Sequence, residues 1–306
     1  MTPRYPGRRY DRASMHAPTV AVVVCTRDRP EQLERTLAAL RRERRPGMEL
    51  VVVDQSARPM APPPDGDVRV LADRGRGLSR ARNIALRSTT AEWLAFVDDD
   101  CRPEPGWGEA LLGELAEHPE AAMVCPRVDA GPLPPGDYLE VTTFPVQRAA
   151  LRRGRRTHPS RLGFGVCCVV RRAVAEQLGG WDERLGPGVP EFPAADDMDF
   201  NHRLLRAGHA AWVTPRPRAV HDQWRTAAEL PALHRGYLAA WCGFACKQLR
   251  TGHVLDGLWL LVIGLVDVAD AAGDAVRRPS RLHRRLAVGK LAGFVAGTAR
   301  GLRRRW

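Results

Sequence analysis

Trp93-Leu94-Ala95-Phe96-Val97-Asp98-Asp99-Asp100 joins five apolar residues directly to three carboxylates. An apolar run of this length without polar alternation fits a strand buried on both faces, as in a parallel sheet. Three adjacent carboxylates repel one another, so leaving them unpaired costs stability, and a divalent cation is the natural compensator. At a strand end or tight turn the outer pair can divide the work. One of Asp98 and Asp100 reaches a ribose hydroxyl while the other binds a metal that holds a diphosphate. The competing account is a solvated acidic turn or helix N-terminus; three acids directly behind a buried strand favour the metal.

Upstream, Val20-Ala21-Val22-Val23-Val24-Cys25 is a second unbroken apolar run. Pro30 opens a helix with Leu33, Leu37 and Leu40 at helical spacing. Strands are expected at Leu50–Val53, ending on Asp54, and at Val68–Leu71 beyond a proline-rich loop, with a helix over Leu78–Arg87. Short strands alternating with helices imply an α/β fold: a doubly wound, mostly parallel sheet with right-handed crossovers. Ligands of such sheets bind beyond the carboxyl ends of the strands, where the acidic run lies. Residues 1–18 are polar and proline-punctuated and read as a loose arm.

Downstream the pattern is less regular: a helix near Trp107–Glu117, a strand near Ala122–Val128, then a Pro/Gly- and Arg-rich connection through about Leu162. Gly165–Arg171 is strand-like, and Ala173–Leu178 is a short helix ending at Gly179-Gly180. Past Pro231 only helix signals remain, which places a boundary near Glu229: a main domain over 19–229 and a helical, basic extension over 230–306. In the extension, Leu258–Val266 is flanked by Asp256, Asp267 and Asp270 and falls short of the roughly 20 apolar residues of a spanning helix. Two readings stand: a core-packing helix with solvated arginines behind it, or an interfacial helix whose basic flank meets an anionic membrane surface.

A chain of 306 residues, 44% hydrophobic, can bury a sizeable core. The net charge of +12 is almost wholly arginine, since Lys247 and Lys290 are the only lysines. It implies attraction to polyanions without choosing among nucleotide diphosphates, anionic lipid and nucleic acid. Seven cysteines lack zinc-site spacing and read as reduced core thiols. No apolar stretch of signal-peptide length follows the basic first residues, so a cytoplasmic enzyme is expected, with the inner face of the cell membrane as its alternative place.

A second acidic constellation, Asp196-Asp197-Met198-Asp199, precedes Phe200, Leu204 and Leu205 on an apparent helix. Such carboxylates are good helix caps. Beside the first cluster they also supply what a group-transfer site needs, a base for an acceptor hydroxyl. His221 could ligate a metal through a neutral ring nitrogen, although a lone histidine is more often structural. Asp54 could hydrogen-bond a nucleobase or ribose, or cap a helix. Arg80 and Arg82 either contact base or phosphate or face solvent.

The order of these elements resembles the inverting family-2 glycosyltransferases of GT-A fold over roughly Val20 to His221. VAVVVCTRDRPEQLERTLAAL is similar to that family's opening strand and helix, ELVVVDQS to its nucleobase-contacting segment, and WLAFVDDDCRPEPGW to its Asp-x-Asp segment. GFGVCCVVRRAVAEQLGGWDERLG and ADDMDFNHRLLRAG resemble its acceptor-side loop and acidic catalytic motif. The resemblance implies Thr26 and Asp54 on the nucleoside, Asp98 in the ribose and metal shell, Asp100 as direct metal ligand and His221 completing the metal site. Arg27, Arg82 and Asp99 join the donor side. Asp197 matches the general base, with Trp181, Asp196 and Asp199 on the acceptor side. Asp196 stands where the family commonly has Glu, which leaves open which of the three acids faces the acceptor. The implied cofactor is Mn²⁺ or Mg²⁺, the donor a nucleoside-diphosphate-sugar, and the acceptor a hydroxyl, lipid-linked if the extension meets a membrane. The enzyme would be of hexosyl- or deoxyhexosyltransferase type.

Two rivals share parts of this pattern. A sugar nucleotidyltransferase would carry a glycine-rich phosphate loop after the first strand, where this chain has Cys25-Thr26-Arg27-Asp28-Arg29-Pro30; a dinucleotide-binding oxidoreductase fails on the same residues. A basic nucleic-acid-binding protein would use clusters such as Arg152-Arg153-Gly154-Arg155-Arg156, but no nucleic-acid module accompanies them and no nucleic acid is expected as partner.

Overall fold

The computed structural model describes residues 18–64 and 66–306, so the expected N-terminal arm, Pro18 apart, lies outside the described residues. The first half runs β1 (Val20–Thr26), α1 (Pro30–Glu43), β2 (Met48–Asp54), β3 (Val68–Ala72), α2 (Leu78–Ser88) and β4 (Trp93–Val97). The second runs β5 (Cys101–Pro103), α3 (Trp107–Glu117), β6 (Ala121–Ala130), β7 (Tyr138–Glu140), β8 (Ala150–Arg153), β9 (Cys167–Arg171), α4 (Arg172–Gln177), α5 (Asp196–Arg206), β10 (Ala210–His221) and β11 (Arg225–Thr226). Three long helices close the chain: α6 (Leu230–Arg250), α7 (Val254–Arg277) and α8 (Arg281–Arg303).

Nine strands form one sheet in the order β3-β2-β1-β4-β9-β6-β10-β5, with β8 also on β10. The first four are mutually parallel. β9 runs antiparallel between β4 and β6, and β5 and β8 run antiparallel to β10. Strand periodicity divides the core. Val20, Val22 and Val24 pack with Leu33, Leu37 and Leu40 of α1 on one face. Ala21 and Val23 pack with Ala81 and Ala85 of α2 on the other. The apolar runs are therefore continuous because both faces are covered by helices.

β10 contains Pro215 and Pro217, which cannot donate to a ladder. The register on β6 slips between Thr214 and Arg218, so the prolines sit in an irregularity and the strand resumes to pair His221 with Cys101 of β5. That pairing brings His221 beside the acidic run. All seven cysteines are free, six of them buried.

The last three helices pack on the sheet domain through a third cluster, in which Leu185, Phe192 and Met198 meet Ala240, Phe244 and Leu260. Gly289, Gly293, Gly297 and Gly301 recur every fourth residue of α8, and a methyl group at Gly297 would stand 2.3 Å from the Ala239 carbonyl oxygen of α6. The two backbones touch along this stripe. On α7 only Gly257, Leu260, Gly264 and Ala271 are buried, so a core-packing role does not account for its other large apolar side chains. Among the described residues no helix is long and apolar enough to cross a membrane.

Candidate active site

Asp98, Asp99 and Asp100 form the turn between β4 and β5, closed by the Cys101 amide donating to the Asp98 carbonyl at 3.0 Å. They open on a cavity of about 890 Å³ beyond the carboxyl ends of the parallel strands. Two of its three carboxylates are partnered from within. Arg29 donates from Nη1 to Asp99 Oδ1 at 2.6 Å and from Nη2 to Asp100 Oδ2 at 2.7 Å. Thr26 Oγ1 donates to Asp99 Oδ2 at 2.7 Å, and Gln223 Nε2 to Asp100 Oδ2 at 2.7 Å.

His221 Nε2 lies 3.1 Å from Asp100 Oδ1, and Nδ1 lies 2.8 Å from the Thr142 carbonyl oxygen. Both neighbours are acceptors, so the imidazolium suits this arrangement, and the Asp100 carboxylate raises the His221 pKa despite burial. The same Nδ1 contact fixes the ring so that a deprotonated Nε2 would face the turn, as in metal-ligating histidines. Among the described residues no three His, Cys, Asp or Glu side chains are gathered into a cation site. The preformed pair is thus Asp100 with His221. Asp98 leans the other way, its Oδ1 3.9 Å from Arg82 Nη2. Loss of hydration and its acidic neighbours push its carboxyl upward despite Arg82.

A second wall comes from the start of α5. Asp197 lines the cavity, its Oδ2 accepting from the Gly165 amide at 2.9 Å and its Oδ1 from the Met198 amide at 2.7 Å. Burial raises its pKa over these bonds. Asp196 is 4% exposed and engages Arg82, whose Nη1 donates to Oδ2 at 2.7 Å. Arg82 Nη2 donates to the Gly165 carbonyl at 2.7 Å, and a methyl group on Gly165 would meet Nη2 at 2.6 Å. One buried guanidinium therefore ties the Asp98 side of the cavity to the Asp196 side, which excludes the solvent-facing reading of Arg82. Arg80 pairs instead with Asp73 through both Nε and Nη2 at 2.9 Å.

Three expected site residues lie elsewhere. Asp54 does not line the cavity; its Oδ1 accepts from the Ser56 amide and its Oδ2 from the Met60 amide, both at 2.8 Å, so it shapes the loop after β2, and Gln55 reaches the cavity. Trp181 is a core residue, stacked on Phe200 at 4.4 Å and edge-on to Phe96 at 4.9 Å, where its indole escapes water and Arg82 lies 6.0 Å over its ring. Asp199 points away from the cavity: fully buried, it takes Lys247 Nζ at 2.5 Å and Arg203 Nε at 2.8 Å. Thr26, Arg27, Arg82, Asp98, Asp99, Asp100, Asp196, Asp197 and His221 all line the cavity.

Arg29, Gln223 and the α6 residues Leu233, Tyr237 and Trp241 also line the cavity; Arg29 falls within the opening strand–helix segment without a role assigned to it there, and the other four lie outside the quoted motifs. For Arg29 a signal exists in its place directly after β1, at the ligand edge of the sheet.

Known proteins bear on this geometry. The model described as Glycosyl transferase family 2 matches residues 21–179, just over half of the chain. The chain is 29% identical over 215 residues to a pre-mycofactocin glycosyltransferase of Mycobacterium tuberculosis, a match covering 66% of this chain and 42% of that protein. It is 28% identical over 277 residues to a glucosyl-dolichyl phosphate glucuronosyltransferase of Haloferax volcanii, covering 85% and 88%. The mannosyltransferase PcManGT from Pyrobaculum calidifontis, solved with GDP-Man and Mn²⁺, superposes with a TM-score of 0.58 at 17% identity, covering 95% of this chain and 88% of that one. These likenesses set aside the nucleotidyltransferase and nucleic-acid readings. Although the chain spans only 42% of the length of that mycobacterial relative, it belongs to glycosyl transferase family 2 and is built on a GT-A type of sheet.

Proposed function

We propose that the protein moves a sugar from a nucleoside-diphosphate-sugar to an acceptor hydroxyl with inversion at the anomeric carbon, assisted by a divalent cation. The observation that carries this reading is a cavity bearing the Asp98–Asp100 turn on one wall and the Asp197 carboxylate on another. Asp197, held by two backbone amides, accepts the proton of the acceptor hydroxyl. The freed oxygen attacks the anomeric carbon as the bond from that carbon to the diphosphate oxygen breaks. Thr26 and Arg27 line the donor end. Arg82 holds the two walls in register, which serves the alignment that in-line displacement requires.

Asp100 Oδ1 and His221 Nε2, 3.1 Å apart, are a carboxylate and an imidazole suited to Mn²⁺ or Mg²⁺, and Asp98 stands near as a further oxygen donor. When bound, the cation supplies neutralisation of the charge developing on the leaving diphosphate. The archaeal mannosyltransferase, solved in complex with GDP-Man and Mn²⁺, supports this donor chemistry. For the acceptor, the haloarchaeal relative's name specifies a glucosyl-dolichyl phosphate, which supports a lipid-linked acceptor.

Thermal unfolding with UDP, GDP or dTDP, each with and without Mn²⁺ or Mg²⁺, tests the assignment. One nucleotide together with one cation should stabilise the protein more than either alone, reaching about 2.7 kcal/mol over the ligand-free protein at a hundredfold excess over Kd. No response to any pair would overturn it.

A further inference from the structure

Twelve of the sixteen most exposed large hydrophobic side chains among the described residues lie on α7 and α8. On α7 they form one stripe: Leu255, Leu258, Trp259, Val262, Leu265 and Val266, continued by exposed Ala269, Ala272 and Val276. At 1.5 Å and 100° per residue the stripe is about 30 Å long and about 140° wide, and the four aspartates of α7 fall outside it. Asp256, Asp267 and Asp274 are moreover paired with Arg206, Lys290 and Arg277. A contiguous apolar face of this size on a charged protein marks a surface that binds something.

The neighbouring charge identifies the occupant. The thirty residues from Arg277 to Trp306 contain ten Lys and Arg and no Asp or Glu. Where α7 turns into α8, Arg281, Arg284 and Arg285 line a cavity of about 810 Å³ with Arg235 of α6. None of these four has an acidic partner among the described residues. A second copy docked face to face would set like charges against each other. A nucleic acid would leave the apolar stripe unused. Apolar stripe and arginine cluster together match a bilayer, with acyl chains for the one and phosphate headgroups for the other.

We infer that the outer faces of α7 and α8 form a docking surface for anionic phospholipid membranes, with α7 lying in the interface and the Arg235, Arg281, Arg284 and Arg285 cluster on headgroup phosphates. This deepens the lipid-linked reading of the acceptor, since α6 both carries these helices and walls the cavity. It is tested without any transfer reaction.

The full chain is floated with phosphatidylcholine vesicles and with vesicles also containing phosphatidylglycerol. Flotation is expected with the anionic vesicles only and should weaken with salt. Arg281→Gln/Arg284→Gln/Arg285→Gln should lower partitioning roughly 100-fold, and Leu258→Glu/Val262→Glu should abolish it. Brominated acyl chains should quench tryptophan fluorescence in the native protein and much less in Trp259→Phe. All the substituted residues except Arg281 to Arg285 sit on the exposed stripe, and unfolding temperatures serve as the folding control. Absence of flotation with either vesicle, variants that float like the native chain, or a dimer dispersed by Leu258→Glu would each overturn the inference. Lost flotation with an intact response to nucleotide would count against this surface alone.

Discussion

Replacing Arg82 by methionine tests whether one guanidinium holds the site together. The side chain is 1% exposed, its two Nη groups each donate at 2.7 Å, and its flat face lies 5.6 Å over Phe96. Methionine keeps much of the volume but leaves Asp196 buried without a countercharge, which typically costs about 3–5 kcal/mol. Asp196 can escape part of this cost by taking a proton. Burial already raises its pKa to about 6 in the native protein, and loss of Arg82 raises it further. A group whose folded pKa lies above its unfolded value contributes most at low pH, and that contribution is lost as pH rises toward the folded pKa. The variant's deficit should therefore grow between pH 6 and 8, by up to about 2.7 kcal/mol, at about 1.4 kcal/mol per pH unit. Asp98 and Asp197, also under the Arg82 charge, act in the same direction. Urea unfolding of native protein, Arg82→Met, Asp196→Asn and the double variant at both pH values gives the cycle. Arg82→Met/Asp196→Asn should recover most of the loss at pH 8. A pH-independent deficit, or a double variant no better than the single, would refute the reasoning.

Asp197→Asn should cut transfer by a factor of about 100 to 10,000 with nucleotide-induced stabilisation retained. Because the base works only when ionised and burial raises its pKa, the acid limb of kcat/KM should lie above the ordinary carboxylate range. A limb near that of a free aspartate would contradict the assignment. His221→Ala should raise at least about tenfold the cation concentration needed for half-maximal stabilisation with nucleotide; an unchanged midpoint would remove His221 from the metal site. Gly297→Leu forces a side chain into the Ala239 carbonyl and should cost at least about 1–3 kcal/mol in urea unfolding. Native-like stability would mean that α6 and α8 need not touch.

The sheet is legible where burial on two faces leaves no choice of residue. β4 falls on Trp93–Val97 and α3 on Trp107–Glu117, as expected from their apolar patterns. β10 is hidden by Pro215 and Pro217, which argue against a strand unless a register slip accommodates them. The acidic cluster on α5 can be divided further by helical geometry alone. Asp197 and Asp199 are separated by about 200° on a helix, so only one can face a cavity. Which one it is depends on Lys247, which lies far along the chain and carries no local signal. Trp181 sits among acids in sequence yet under Arg82 in space, a contact made only when the segment after α4 docks on α2, where Asn83 bonds the Trp181 backbone. The α6–α8 contact is written in the four glycines of α8, whose spacing becomes meaningful once a second helix lies against them.

Arg29 gives the acidic turn a resident countercharge of its own. In small metal-dependent folds, ion binding and folding are one event, and removing the ion unfolds the chain. Here Asp99 and Asp100 already satisfy an arginine that is 32% exposed at the cavity. On the proposed cation-assisted reading, the polypeptide would complete its fold in an ion-poor compartment and stay folded when ion and product leave. Chelation would idle such an enzyme without exposing it to proteolysis, and readmission of the ion would restart it without a refolding delay.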